Sequence, residues 1–279
     1  WRFFNAHVNS ELVVVKKERK DAYGNILEAA VTVQQVCKQP LKSVEAFSRT
    51  LRPFMIQRLK SDVRSDLPPR IDQYINIEMS KKQADVYHTI KYAPDPVVQL
   101  ADGVETSVSI VLTRILREIQ VTTDPALLGL PDVPSVKLEW LTNWLEDNPQ
   151  ESVIIFTRFR DTALKLHQQL GEQFKLIVGG QRAEITPQDR YIVGTIAAMG
   201  EGLDLPHIDN AIFIDVEWSS ILMQQAIDRI HRINSSNVKN VYFLRCINTV
   251  DILVHNALTQ KWSTKELTEQ YLNGRKALA

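Results

Sequence analysis

No run of 18 apolar residues occurs in this chain, so no stretch reads as a membrane-spanning helix. Cysteine is scarce: only Cys37 and Cys246 are present. They lie far apart and lack the spaced Cys and His partners of a zinc site, so no metal ligand set is expected. Two thiols in a chain of 279 residues point to a reducing, intracellular compartment. No secretory leader is visible. The chain opens Trp1-Arg-Phe-Phe4 without an initiator Met, so it reads as part of a longer protein. An excess of one charge sign is missing too. Lys plus Arg and Asp plus Glu number 33 each, so only local clustering bears on nucleic acid binding.

Several catalytic signatures are also absent. No Gly-x-x-x-x-Gly-Lys-Ser/Thr loop occurs, and Gly200-Glu-Gly-Leu-Asp-Leu205 lacks the lysine. No glycine-rich turn follows the first apolar run of the second half, where Thr157-Arg-Phe-Arg-Asp161 stands instead. That argues against a dinucleotide or methyl-transfer site. There is no Gly-x-Ser-x-Gly elbow and no His-Glu-x-x-His. The chain lacks the parts for catalysis on its own.

What is there divides at about residue 152. Glu11 to Val15 reads as a strand, the charged run Lys16 to Asp21 as a solvated hairpin, and Ala29 to Val36 as a returning strand or a short helix. Residues 43–70 read as helical with a break at Pro53. Arg52, Arg58, Lys60, Arg64 and Arg70 outnumber Asp62 and Asp66 there, a local excess suited either to phosphates or to ordinary surface. Ile71 to Met79 alternates and reads as a strand. Ser80-Lys-Lys-Gln83 reads as a capping box opening a helix to about Lys91. Further helices are expected over 108–120 and 137–146.

Beyond 152, short apolar runs recur at 153–156, 176–178, 191–193, 211–214 and 241–244. Helical segments stand between several of them, at 161–171 and 219–232, and another follows at 250–260. Continuous apolar runs alternating with helices indicate buried parallel strands of an α/β sheet, whose ligands bind beyond the strands' carboxyl ends. The 12 residues between Val178 and Tyr191 barely suffice for a parallel crossover. Either its helix is reduced to a turn or residues are missing between the two runs; the second reading is preferred.

Gln225-Ala-Ile-Asp-Arg-Ile-His-Arg232 reads as a helix. On it Gln225, Arg229 and Arg232 fall at roughly 0°, 40° and −20° around the axis, away from the apolar face. Two arginines three apart ordinarily make surface salt bridges. A pair on one free edge is also suited to a phosphoryl group held by a partner across a cleft.

Val153-Ile-Ile-Phe-Thr-Arg-Phe159, Gly194 to Leu205, Ile214-Asp-Val-Glu-Trp218 and Gln225 to Ile233 occur in this order. They resemble motifs IV, V and VI of the Swi/Snf-type DNA translocases of helicase superfamily two. Leu51 to Pro69 is similar to that family's inter-lobe linker. Leu116-Arg-Glu-Ile-Gln120 with Asp124-Pro-Ala-Leu-Leu128 is similar to its helical insertion, and Ser135-Val-Lys-Leu138 to the entry of its second lobe. The resemblance implies an α/β fold: a RecA-like lobe with a central parallel sheet flanked by helices, preceded by a mainly helical linker and insertion region.

It also implies a division into 1–70 (end of the first lobe and linker), 71–134 (strand and insertion), 135–262 (second lobe) and 263–279 (C-terminal helix or tail). Arg229 and Arg232 would be arginine fingers and Gln225 would position them. Gly200, Glu201, Gly202 and Asp204 would form the loop coupling nucleotide to DNA. Thr157, Arg158, Thr195, Arg58 and Lys60 would face DNA phosphates. The partners implied are double-stranded DNA and a first RecA-like lobe of the same protein. ATP and Mg would be held mainly by that lobe, so the chain alone is expected to be inactive. The alternative is a non-enzymatic DNA-binding or regulatory module derived from the same lobe. Two departures stand out: Trp218-Ser-Ser220 where the family has Trp-Asn-Pro, and Asn234-Ser235 where it has Gly-Gln after His-Arg-Ile.

Overall fold

The computed structural model describes residues 8–16, 19–20, 26–28, 31–54, 68–92, 103–199, 203–232 and 235–276. The chain forms two compact units, residues 1–65 and 66–279.

In the first unit, β1 (Val8–Lys16) pairs antiparallel with β4 (Val31–Leu41), with Val13 opposite Val33. A short ladder joins β2 (Arg19–Lys20) and β3 (Ile26–Glu28). The segment read as strand or helix is therefore a strand. Helix α1 (Val44–Leu51) follows, and Ser43 caps it by accepting from Ala46 N. Arg58, Lys60 and Arg64 lie outside the described residues.

The second unit is built on one seven-stranded sheet in the order β5-β11-β10-β6-β9-β7-β8. The strands are β5 (Arg70–Ile77), β6 (Val153–Thr157), β7 (Phe174–Val178), β8 (Gln181–Arg182), β9 (Tyr191–Thr195), β10 (Asn210–Phe213) and β11 (Lys239–Cys246). All neighbours are parallel except β7 with β8. The α/β class with a central parallel sheet is thus correct. β5 forms a full parallel ladder with β11, from Arg70 opposite Lys239 to Ile77 opposite Cys246, so the strand read at 71–79 joins this sheet.

The helices are α2 (Lys81–Tyr92), α3 (Gly103–Thr123), α4 (Val136–Asp147), α5 (Arg160–Leu170), α6 (Ile196–Met199), α7 (Ser220–Ile227), α8 (Val250–Gln260) and α9 (Thr264–Lys276). Among the described residues no helix is long and apolar enough to cross a membrane.

The central strands β6 and β10 are buried on both faces, as their uninterrupted apolar runs require. Alternate residues of β6 enter different cores. Ile154 and Phe156 join Ile115, Phe213, Ile230 and Tyr271, while Val153 and Ile155 join Leu141, Leu166 and Leu244. Phe156, Phe213, Phe243 and Tyr74 stand in register on four adjacent strands. Their rings stack at 4.5, 5.2 and 5.3 Å. Each such pair adds roughly 0.5–1.5 kcal/mol beyond the area it buries.

Helices α2, α3 and α9 are tied at Glu118, which is buried. Its carboxylate accepts from Tyr87 Oη at 2.6 Å and from Tyr271 Oη. Burial pushes both the Glu118 carboxyl and the Tyr87 phenol above their ordinary ranges.

The short connection is made by a turn and a short strand, without a crossover helix. β7 leads through Gly179 and Gly180 into β8, and an irregular segment then returns to β9. No helix is needed, because Ile185 packs against the core that holds Ile177, Ile192, Ile196 and Met199. Gly194 is required on β9: a Cβ there would collide with the Ile177 carbonyl oxygen of β7.

Candidate nucleotide and DNA-facing edge

The chain reverses across the sheet at β6. β7 and β9 lie on one side of it, β10 and β11 on the other. Such a reversal leaves a crevice beyond the carboxyl ends of the strands. Thr157 and Arg158, Thr195, and the segment Ile214 to Trp218 stand at the ends of β6, β9 and β10.

The helix that carries Gln225 is shorter than its sequence period suggests. α7 begins at a capping Ser219, which accepts from Leu222 N, and ends at Ile227. Arg229 N and Ile230 N then turn back to the carbonyls of Ala226 and Ile227. Arg229 and Arg232 therefore leave the helix, and the common edge computed for one continuous helix does not exist. The reason is tertiary. The Arg229 carbonyl, which a longer helix would offer to residue 233, accepts from Leu205 N at 3.0 Å. Ile230 is fully buried, and Ser235 locks the next turn. Its Oγ donates to Ile230 O at 2.8 Å and accepts from Arg232 N at 3.0 Å. The His231 ring Nε2 lies 2.9 Å from Pro68 O.

The two guanidiniums nevertheless meet. Arg229 Nη1 donates to Leu203 O at 3.2 Å, and Arg232 Nη2 donates to the same oxygen at 3.3 Å. Arg232 Nε lies 3.3 Å from Asp204 Oδ1, and Asp204 is 61% exposed. So Asp204 is an ion-pair partner of Arg232. Gln225 is exposed on α7. Gly200, Glu201 and Gly202 lie outside the described residues, as does Asn234.

At the ends of β6 and β10 the residues take roles the sequence did not assign. Thr157 is completely buried, and its hydroxyl donates to Asp215 Oδ2 at 2.6 Å. It is therefore not a phosphate contact; it fixes a turn. Thr195 is only 7% exposed. Arg158 N donates to Asp215 Oδ1 at 2.7 Å. The Arg158 guanidinium lies 5.0 Å from the Trp218 ring centroid and 3.3 Å from Glu217 Oε2. Asp215 is buried, which pushes its carboxyl up to about 6, although the Thr157 and Arg158 hydrogen bonds and the Lys137 charge pull it down. Asp215, Glu217, Trp218 and Ser235 escaped selection as site residues. The available signals were an Asp ending an apolar run, and a Ser three residues after an arginine.

Of the five cations over 52–70, Arg58, Lys60 and Arg64 lie outside the described residues. Arg52 is exposed, but Arg70 is held by Asp72 at 2.7 Å. Nor does any group of three or more His, Cys, Asp or Glu side chains converge, among the described residues, in the way a metal needs. What the edge offers is cations, which fit phosphate oxygens.

Two families match in series. The SNF2-related domain matches residues 10–127, and the helicase conserved C-terminal domain matches residues 136–234. Among curated proteins, an uncharacterized ATP-dependent helicase, MG018 of Mycoplasma genitalium, is 25% identical over 241 residues, covering 79% of this chain and 23% of that protein. The human DNA annealing helicase and endonuclease ZRANB3 is 24% identical over 232 residues, covering 81% of this chain and 21% of that protein. The chain thus spans less than a quarter of the length of these relatives.

Among solved structures, the C-terminal part of the Fun30 ATPase domain superposes with a TM-score of 0.54 at 15% identity, covering 76% of this chain and 99% of that one. The Sulfolobus solfataricus SWI2/SNF2 ATPase core in complex with dsDNA superposes at 0.53 and 20% identity, covering 80% of this chain and 55% of that one. Both share the fold. With both domains matched in order, the chain belongs to the Swi/Snf (SNF2) family of superfamily-two helicase-like proteins.

Proposed function

We propose that this chain is the C-terminal motor lobe, with its adjoining helical elements, of an ATP-dependent translocase on double-stranded DNA. The observation that carries the reading is the meeting of Arg229 and Arg232 on one neutral acceptor, Leu203 O. A carbonyl leaves both guanidiniums charged. Phosphoryl oxygens gathering negative charge are stronger acceptors for the same donors. On this reading Arg229 and Arg232 are arginine fingers and Gln225 positions them. Gly200, Glu201, Gly202 and Asp204 link the nucleotide to the DNA side. Asp204 holds Arg232 in a half-exposed pair that contributes only about 0–1 kcal/mol, so releasing it to a phosphate costs little.

When bound, ATP would supply the transferred phosphoryl group and Mg would offset its charge. Both are assigned to a first RecA-like lobe bearing a phosphate loop. The fingers then act in trans, and this chain alone does not turn over. Arg158 and Thr195 face strand phosphates from the ends of β6 and β9; Arg58 and Lys60 are assigned to DNA phosphates as well. Thr157 contributes by fixing the turn.

The test is ATP turnover, stimulated by duplex DNA, in a protein joining this chain to a first lobe. Arg232→Ala is expected to cost about 10³-fold or more in turnover, with thermal unfolding unchanged. Near-wild-type turnover would return Arg232 to a surface ion pair. Multiple turnovers by this chain alone would refute the division of labour. DNA binding without turnover in the joined protein would favour a non-enzymatic DNA-binding module.

A further inference from the structure

We propose that Asp215 is a positioning residue for the DNA-facing edge: by clipping the end of β6 to the end of β10 it seats the Arg158 guanidinium on Trp218. The inference rests on the reading of that edge as DNA-facing. Both Asp215 oxygens are committed to the β6 turn, one to Thr157 Oγ1 at 2.6 Å and one to Arg158 N at 2.7 Å. Thr157 Oγ1 in turn accepts from Phe159 N at 3.2 Å, so three successive residues hang on one carboxylate. Two residues beyond Asp215, Glu217 lies 3.3 Å from the Arg158 Nη2, and the Arg158 guanidinium carbon lies over the Trp218 ring, 5.0 Å from its centroid. The backbone of Arg158 and its head group are therefore both fixed by the segment 215–218. A side chain of this length, which ordinarily retains much rotamer freedom, is held in one place.

Asp215 has 3% of its surface exposed, so its charge needs company. A cavity of about 10 Å³ behind it is shared with Lys137 of α4 and with Asp251 and His255 of α8. Lys137 is wholly buried and 2.7 Å from Asp251 Oδ2, which keeps its ammonium charged. Thr122 at the end of α3 and Cys246 N at the end of β11 bond to the same Asp251 carboxylate. Asp215 is thus the member of a buried polar cluster that reaches the edge. Lys137 behind it and Arg158 beside it are the cations that face it.

The experiment is a double-mutant cycle on this chain, read as binding to a fluorescein-labelled DNA duplex at low salt, with thermal unfolding of every variant recorded. Arg158→Ala should weaken binding. Asp215→Asn should weaken binding by about tenfold, the size of one charge-assisted contact. In the R158A background Asp215→Asn should change binding by less than about twofold. Thr157→Val removes one arm of the clip and should act in the same direction, and Thr157→Ser, which restores the hydroxyl, should recover binding. This pair stands in if D215N does not fold.

An Asp215→Asn effect equal in both backgrounds, or no effect where R158A has one, overturns the positioning role. Wild-type binding that R158A leaves intact, or no wild-type binding at all, overturns the DNA-facing reading and the inference with it.

Discussion

The second unit contains two pairs of cations built in opposite ways. Lys137 and Lys239 have no exposed surface. Lys239 spends its three donors on Pro206 O, Ile208 O and Asp209 Oδ1, at 2.6, 2.9 and 2.6 Å, and Lys137 is paired with Asp251. Arg229 and Arg232 share a backbone carbonyl at 3.2 and 3.3 Å, and the Arg232 side chain is 35% exposed. A buried ammonium must be saturated, because an unpaired charge in the interior is costly. A partly exposed guanidinium is held more loosely, by one neutral carbonyl and, for Arg232, by the half-exposed Asp204 carboxylate. Lys239 therefore joins a loop to a strand and Lys137 joins α4 to α8, while the two arginines converge at the edge.

That contrast breaks first, and by most, on stability. Lys137→Met should lower the unfolding free energy by about 3–5 kcal/mol, because it strands Asp251. Arg232→Met should change it by less than about 1 kcal/mol. Urea unfolding of the two variants checks this, and equal losses would erase the distinction.

A smaller effect sharpens the buried side. The Asp215 carboxyl is pushed up to about 6, so between pH 4 and 6 the folded state binds more protons there than the unfolded state, and this group's contribution falls as pH rises. The His255 imidazole is pushed down to about 4, chiefly by burial. It has the opposite slope: its contribution is present above about pH 6.5 and is lost as pH falls toward 4. The two offset each other over pH 4–6. Relative to wild type, Asp215→Asn should therefore gain in stability as pH rises through that window, and His255→Gln should lose. Parallel pH–stability curves for all three proteins would contradict the assignment.

The smallest effect lies on the exposed side. Asp204→Asn should alter stability by no more than about 1 kcal/mol. In the joined two-lobe protein it should leave DNA-stimulated turnover far closer to wild type than Arg232→Ala does. A loss matching that of Arg232→Ala would make Asp204 a functional member of the site.

Much of this was legible beforehand because it is local. The runs 153–156 and 241–244 are apolar without interruption, and only a strand covered on both faces buries every residue of such a run. Ser80, Ser135 and Ser219 each cap the helix that follows, through hydrogen bonds within three residues. The capping box at Ser80 was half right. Gln83 does not turn back to close it; its amide bridges Val121 O and Val136 N instead. The motif order likewise pointed to the family without any geometry.

The sequence by itself determined the alternation of strands and helices, and the absence of a phosphate loop between Trp1 and Ala279. Both follow from side-chain type and near-neighbour spacing. Only the tertiary structure decided where α7 stops, that Thr157 faces inward to Asp215, and that Phe156, Phe213, Phe243 and Tyr74 fall in one row. It alone also brought Arg229 and Arg232 onto one carbonyl once the helix that was to align them had ended. Each of these depends on a partner far along the chain, such as Leu205 N for Arg229 O or Asp215 for Thr157, and no periodicity within a segment encodes which distant group will arrive.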